Sequence, residues 1–330
     1  MNLRLLIAIS ALLIAANGTV TPSAAQPRSA QTFYVDYDSG SDRNSGLRPD
    51  DGWQHAPGDP AAEARPKATR LVAGDRVILA AGVTYRGTIV AGDSGVRGVP
   101  IVYEGAAGAR AVINGAVPVR AIPCAGNPAC AVAATGAVLL RIDRTAALEG
   151  TIFDGEGPMR LAQSPNPKVA LYADEPTDFY SIPTDRIQTG QVRLPIAAKD
   201  CQSDCGMEIA LWVQPNVVVT RPVSSVQESV ASFDPQGIKF YTDRETRYAL
   251  RGLTQFLDEP GEFLPIQDGL VLAIPRGTGS CCAIATGSGG ILIRNASWIT
   301  ISNLDFEQMA DAGKFGKGIA IFANSPGIAG

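Results

Sequence analysis

The clearest pattern lies in the last stretch of the chain, Gly290 to Gly330, where Gly290-Ile291-Leu292-Ile293 returns as Gly318-Ile319-Ala320-Ile321. The echo continues loosely, with Asn295-Ala296-Ser297 answered by Asn324-Ser325. Between them, Ile299-Thr300-Ile301-Ser302-Asn303-Leu304-Asp305-Phe306 alternates apolar and polar residues, which predicts a half-buried strand. Short β-branched strands cut by Asn, Ser and Gly corners, recurring after about 28 residues, fit a solenoid coil. One coil cannot cover its own apolar side, so the isoleucines must stack on their equivalents in the next coil. The expectation is a parallel β-helix, with two similar strands of an ordinary β-sandwich as the alternative.

The N-terminal half adds strands of the same kind. Thr32-Phe33-Tyr34-Val35-Asp36 reads as a strand, and Tyr37 to Gly46 (YDSGSDRNSG) is a dense run of turn formers that precedes Trp53. Ala61 to Leu71 is a candidate helix, shortened by Pro60 and Pro66. In Gly74-Asp75-Arg76-Val77-Ile78-Leu79 the alternation sends Val77 and Leu79 to one side, and Gly74 and Gly82 suit tight corners.

These phrases carry a resemblance. Tyr34 to Gly46 is similar to the opening "YYV-x-x-x-G-S-D-x-N-x-G" of secreted proteins of the pectate-lyase-like superfamily. Ala73 to Gly87 resembles that group's "PGD-x-V-x-L-x-x-G-x-Y-x-G", Gly95 to Gly105 its "SG-x-x-G-x-PI-x-Y-x-G", and Val112 to Gly115 its "A-x-I-x-G". The resemblance implies an all-β chain built as a right-handed parallel β-helix, with an amphipathic cap where the Ala61–Leu71 stretch stands. Met159 to Pro167, Arg247 to Leu250, Phe256 to Phe263 and Gly269 to Pro275 are similar to phrases of larger carbohydrate-active members, in which a β-rich subdomain interrupts the early coils. The implied layout is a signal peptide over 1–25 and a cap with first coils over 26–159. An inserted β-rich subdomain follows over 160–275, and resumed coils over 276–330. A solenoid ending after little more than one resumed coil leaves an unpaired edge, so the chain is expected to be the N-terminal portion of a longer protein. A small helix that closes here or pairs in an oligomer is the rival.

Composition narrows the setting. Hydrophobic residues make up 45% and charged residues 18%, enough for a sizeable core, and Gly 35 with Pro 23 favours many short strands and turns. Arg4, the apolar Leu5–Ala16 run and the small residues Ser23-Ala24-Ala25 read as a cleavable export signal ending near Ala25, too short for a membrane span. A secreted or periplasmic location follows. In that setting six cysteines suggest disulfides, and the simplest pairing is local: Cys124 with Cys130, Cys201 with Cys205, Cys281 with Cys282. The net charge of −4 argues against nucleic acid or an anionic membrane surface as partner, though not against a local basic groove for an acidic polysaccharide.

Candidate chemistry is sparse. Strands about 4.8 Å apart can place carboxylates from adjacent coils at a retaining glycosidase's separation and those two coils apart at an inverting one's. A lyase instead needs a base and a cation beside the uronate carboxylate. Asp305, Glu307, Asp311, Lys314 and Lys317 are the catalytic candidates, set against the reading that they are the solvated side of a strand and its loop. Trp298 and Arg160 are the substrate-binding candidates, against a coil-corner cover and an ordinary surface charge. Asp154 and Glu156 read as turn residues, and His55 sits in a Pro- and Gly-rich loop with no acid or nucleophile placed to suggest a triad. No metal or cofactor is expected; Asp36, Asp38 and Asp42 allow calcium, but Asx turns explain them equally. The function expected is an exported β-helix enzyme acting on a polysaccharide, lyase or glycosidase. The rivals are a non-catalytic binding or adhesion scaffold and a fragment whose site lies in coils beyond Gly330.

Overall fold

A computed structural model describes residues 28–322, apart from 125, 127–129, 131–135, 168–177, 198, 204, 215–216, 242–243, 267–268, 278–280, 287–289, 312–313 and 316–318. The export signal therefore lies outside the described residues. Among the described residues the protein is all-β with three short α-helices. In chain order the first strands are β1 (Thr32–Val35), β2 (Arg76–Leu79), β3 (Thr84–Arg86), β4 (Thr88–Ala91), β5 (Ile101–Gly105), β6 (Ala111–Asn114) and β7 (Val117–Pro118), with α1 (Ala64–Ala68) between β1 and β2. Next come β8 (Ala121–Pro123), β9 (Val138–Arg141), α2 (Arg144–Glu149), β10 (Thr151–Phe153), β11 (Arg160–Leu161), β12 (Gln163–Ser164), β13 (Tyr180–Pro183), α3 (Thr184–Ile187) and β14 (Gln191–Arg193). Then follow β15 (Glu208–Gln214), β16 (Val217–Gln227), β17 (Val230–Phe233), β18 (Glu245–Arg251), β19 (Glu262–Pro265) and β20 (Leu270–Ile274). The chain continues through β21 (Ala283–Ala285), β22 (Gly290–Arg294), β23 (Ile299–Ser302), β24 (Leu304–Glu307), β25 (Ala310–Asp311), β26 (Lys314–Phe315) and β27 (Ile319–Phe322).

Three small sheets are parallel: β1-β2-β5-β23, β27-β22-β4 and β24-β6-β3. The isoleucine repeat explains their register. Ile291 pairs with Ile319 on one side and Ile89 on the other. Ile299 pairs with Ile101, and Phe306 with Ile113. Strands β4, β5 and β6 thus receive β22, β23 and β24 in the same order, across the long stretch that separates them in sequence. Their inward side chains form one core with Phe33, Val77, Tyr85 and Tyr103, in which Ile89, Ile101, Ile113 and Ile291 are wholly buried. Each such side chain contributes roughly 1.5–3 kcal/mol by leaving water. Corners take left-handed residues, Asn295 at φ 49° and Asn303 at φ 53°, as the Asn corners of the sequence suggest.

The N-terminal end is closed by Trp53 more than by a helix. Its ring stacks on Phe33 at 4.9 Å and its indole N–H donates to the Asn44 carbonyl at 2.9 Å. Gly46 permits this approach, because it sits at φ +72° and a Cβ there would meet the indole at 2.3 Å. Helix α1 has only five residues of the longer stretch expected, and Pro66 is its buried contact. The three aspartates of the opening turn act separately. Asp36 makes an Asx turn with the backbone N–H groups of Asp38 and Ser39, while Asp42 accepts from the N–H groups of His55 and Glu63.

The remaining sheets are antiparallel in all but one pairing, and antiparallel pairs outnumber parallel ones among the described residues. One sheet runs β11-β19-β20-β9-β8, with β11 parallel to β19; a seven-stranded sheet runs β12-β18-β15-β16-β17-β14, with β13 also on β18. Their shared core includes Leu139, Ile209, Leu211, Leu250 and Leu272. Sheet β10-β21-β7 joins the strand that follows β6 to the segment that leads back into β22. The three local cysteine pairs, Cys124–Cys130, Cys201–Cys205 and Cys281–Cys282, are disulfides.

Candidate functional site

Strands β3, β6 and β24 turn Tyr85, Ile113 and Phe306 inward, so their neighbours form the outer face. Two cross-strand rows result: Thr84–Val112–Asp305 and Arg86–Asn114–Glu307. Asn114 is buried between its charged neighbours, and its side-chain oxygen accepts the Ala116 N–H at 2.9 Å. With strands about 4.8 Å apart, Arg86 and Glu307 stand two strands from one another. Asp305 is held by Arg110 at 2.7 Å, in an exposed pair.

Arg86 of this face also lines an adjoining cleft of about 530 Å³. One wall comes from β3 and the residue after β24, Arg86 and Gln308; the other comes from β10, β21 and the segments beside them. Val119, Phe153 and the Cys281–Cys282 disulfide make the second wall apolar, with Arg120 at its rim. Local bonds fix these parts. Arg86 Nη1 donates to the Ala116 carbonyl at 2.8 Å, and the Val119 N–H donates to the Cys282 carbonyl at 2.8 Å. Register pairs Ala283 with Pro118 and Ile284 with Val117. Among the described residues Arg120 makes no hydrogen bond or ion pair.

Two buried carboxylates nearby behave in opposite ways. Burial pushes the Asp154 carboxyl up, but bonds from Arg276 (N at 3.1 Å, Nε at 2.8 Å, Nη2 at 2.9 Å) and from the Glu156 N–H outweigh it, leaving the group below its ordinary range. Burial of Glu262 wins instead, raising its carboxyl despite the Glu259 and Asp258 N–H groups and an Arg160 Nε contact of 3.2 Å.

The sequence candidates are distributed unevenly over this geometry. Asp305 and Glu307 share the outer face of β24. Asp311 and Lys314 oppose one another across the short β25–β26 pair, and Lys317 lies outside the described residues. Trp298 sits at the corner before β23, with φ 56° and half its surface exposed, and β23 lies between it and the carboxylates of β24. Arg160 is engaged inside the protein, bonded to Glu259, Glu262 and the Pro167 carbonyl, and is no free surface charge. Sequence reasoning missed Arg86, Asn114 and Arg120. The alternation through Tyr85 and Ile113 places the first two outward, a signal that was available. It also missed the acid beside His55: Asp42 Oδ2 lies 2.9 Å from His55 Nδ1, while Tyr37 packs edge-on against the ring. Among the described residues no group of three His, Cys, Asp or Glu side chains is placed to hold a metal ion.

No family model and no curated relative matches the sequence. A solved structure titled "Glycoside hydrolase" matches with a TM-score of 0.55 at 16% identity, over 85% of this chain and 51% of that one. The chain thus spans about half the length of that structure. A second, titled "The complex structure of XylC with xylose", gives a TM-score of 0.29 at 11% identity, over 84% of this chain and 36% of that one, too low to carry an argument. The first likeness shows a shared β-rich architecture. No helix among the described residues is long and apolar enough to cross a membrane.

Proposed function

We propose that this is an exported carbohydrate-active protein whose three parallel sheets are the faces of a right-handed β-helix, acting on a polysaccharide as glycoside hydrolase or lyase. The observation that carries the reading is the outer face of β3-β6-β24, where Arg86, Asn114, Asp305 and Glu307 stand in two rows beside a cleft. Fold likeness to a structure titled "Glycoside hydrolase" supports it as analogy. Asp305 and Glu307 are two residues apart on one strand face, about 6.6 Å at 3.3 Å per residue. That lies at the near end of the ~6.5–9.5 Å used by inverting glycosidases. Arg86 on the same face favours the lyase as second reading, since a guanidinium can neutralise a uronate carboxylate while a base removes the adjacent proton.

The test is to incubate the purified protein with neutral and acidic polysaccharides, following new reducing ends and the ultraviolet absorbance of an unsaturated uronate. Reducing ends without that absorbance identify a hydrolase; both together identify a lyase. Either activity should fall at least ~100-fold in Glu307→Gln. Binding without turnover would leave a scaffold, and neither binding nor turnover on any polysaccharide would end the carbohydrate reading.

A further inference from the structure

The disulfide between adjacent cysteines stands in the cleft wall, where a local staple elsewhere would have served stability alone. Cys281 and Cys282 precede β21 directly. The Cys282 carbonyl is tied to Val119 and the next residue, Ala283, pairs with Pro118, so the sulfur pair and the apolar wall are one piece. Two guanidinium groups line the same space. Arg86 uses Nη1 on a carbonyl within the protein, and Arg120 uses none of its donors on any described residue. Among the described residues no carboxylate lines this cleft to neutralise them. An apolar plate flanked by two uncompensated planar cations fits a ring with one apolar face and an anionic substituent.

From this we infer that the cleft is a subsite for a sugar residue bearing a carboxylate or a sulfate, with the Cys281–Cys282 disulfide as its floor. The inference rests on the proposal above that the protein binds saccharide, and it adds the charge of the sugar and the residues that recognise it. The anion lies against Arg86 and Arg120 while the ring face covers the disulfide and Val119. Reduction by a dithiol, which is itself oxidised to a disulfide as the Cys281–Cys282 bond becomes two thiols, breaks the plate and weakens binding.

Calorimetric titration of the whole chain with oligouronate, sulfated oligosaccharide and neutral oligosaccharide tests this. One or both acidic ligands should bind at least ~10-fold more tightly than the neutral one, and which of them does so identifies the substituent. Arg120→Gln, at an exposed position, should remove that preference without shifting the unfolding temperature. Arg48→Gln, an exposed control far along the chain, should leave it intact. Cys281→Ala/Cys282→Ala, with the other two disulfides kept, should weaken the acidic ligand ~10-fold. Equal binding of neutral and acidic ligands, insensitive to Arg120→Gln, overturns the subsite and spares the carbohydrate reading. An alanine pair that folds and keeps full affinity removes the disulfide from the site. A chain that binds no saccharide overturns both proposals.

Discussion

The parallel and the antiparallel sheets handle charge in different ways. In the parallel sheets, apolar residues of successive strands stack on one another and the ionisable residues of β24 stay on the outer face. In the antiparallel part, charges are carried inward and engaged over long sequence distances, Arg160 in an ion pair with Glu262 and Arg251 by donating to the Gln163 side-chain oxygen. The seam between the two behaves like the second, with Asp154 buried against Arg276. The difference teaches that stacking of like on like leaves a face free for ligands, whereas the antiparallel part consumes its charges in holding itself together.

Substitutions can break that contrast. Ile89→Ala should cost most, about 4 kcal/mol, because the side chain is wholly buried in the core of the parallel sheets and its loss leaves a cavity; chemical denaturation measures it. Arg160→Met should cost about 3 kcal/mol by stranding the buried Glu262. Adding Glu262→Gln should recover much of that loss, and if the single variant proves harmless the buried pair is not a keystone.

Asp154→Asn sharpens the comparison through pH. Its carboxyl is depressed in the folded protein, so its stabilisation is fully present above the unfolded value of about 3.9 and is lost as pH falls through the lower folded value. The gap between wild type and variant should therefore be largest at neutral pH and shrink as pH falls below about 3.9; a gap that widened in acid would reverse the assignment. The smallest effect belongs to Asp143→Ala. Asp143 caps α2 by accepting from the N–H groups of Thr145 and Ala146, and its loss should cost about 1 kcal/mol in a thermal melt.

The parallel strand pairings were legible because their information is periodic. Gly290-Ile291-Leu292-Ile293 and its return at Gly318 align in register as β22 and β27, and the alternation through Phe306 sets Asp305 and Glu307 on one side. The antiparallel charges were not legible, because an ion pair joins residues whose separation obeys no period. Asp154 read as a turn residue until Arg276 came to it from 122 positions away. Arg160 read as surface for the same reason. His55 looked isolated because its partner, Asp42, reaches it through a loop. The cleft needed β7 and β21 to be adjacent, which no local phrase states.

That adjacency has a kinetic side. Strands β4, β5 and β6 cannot gain their partners β22, β23 and β24 until some two hundred further residues have been made, and closing so long a loop is entropically slow. Yet Val117 and Ile284 are partners, at the two ends of the intervening stretch. Once that stretch folds upon itself, its exits emerge side by side, and the strands that must meet are separated by a short tether. The β7–β21 pair thus converts a distant search into a local one, so weakening it should slow assembly of the parallel sheets more than it loosens them once assembled.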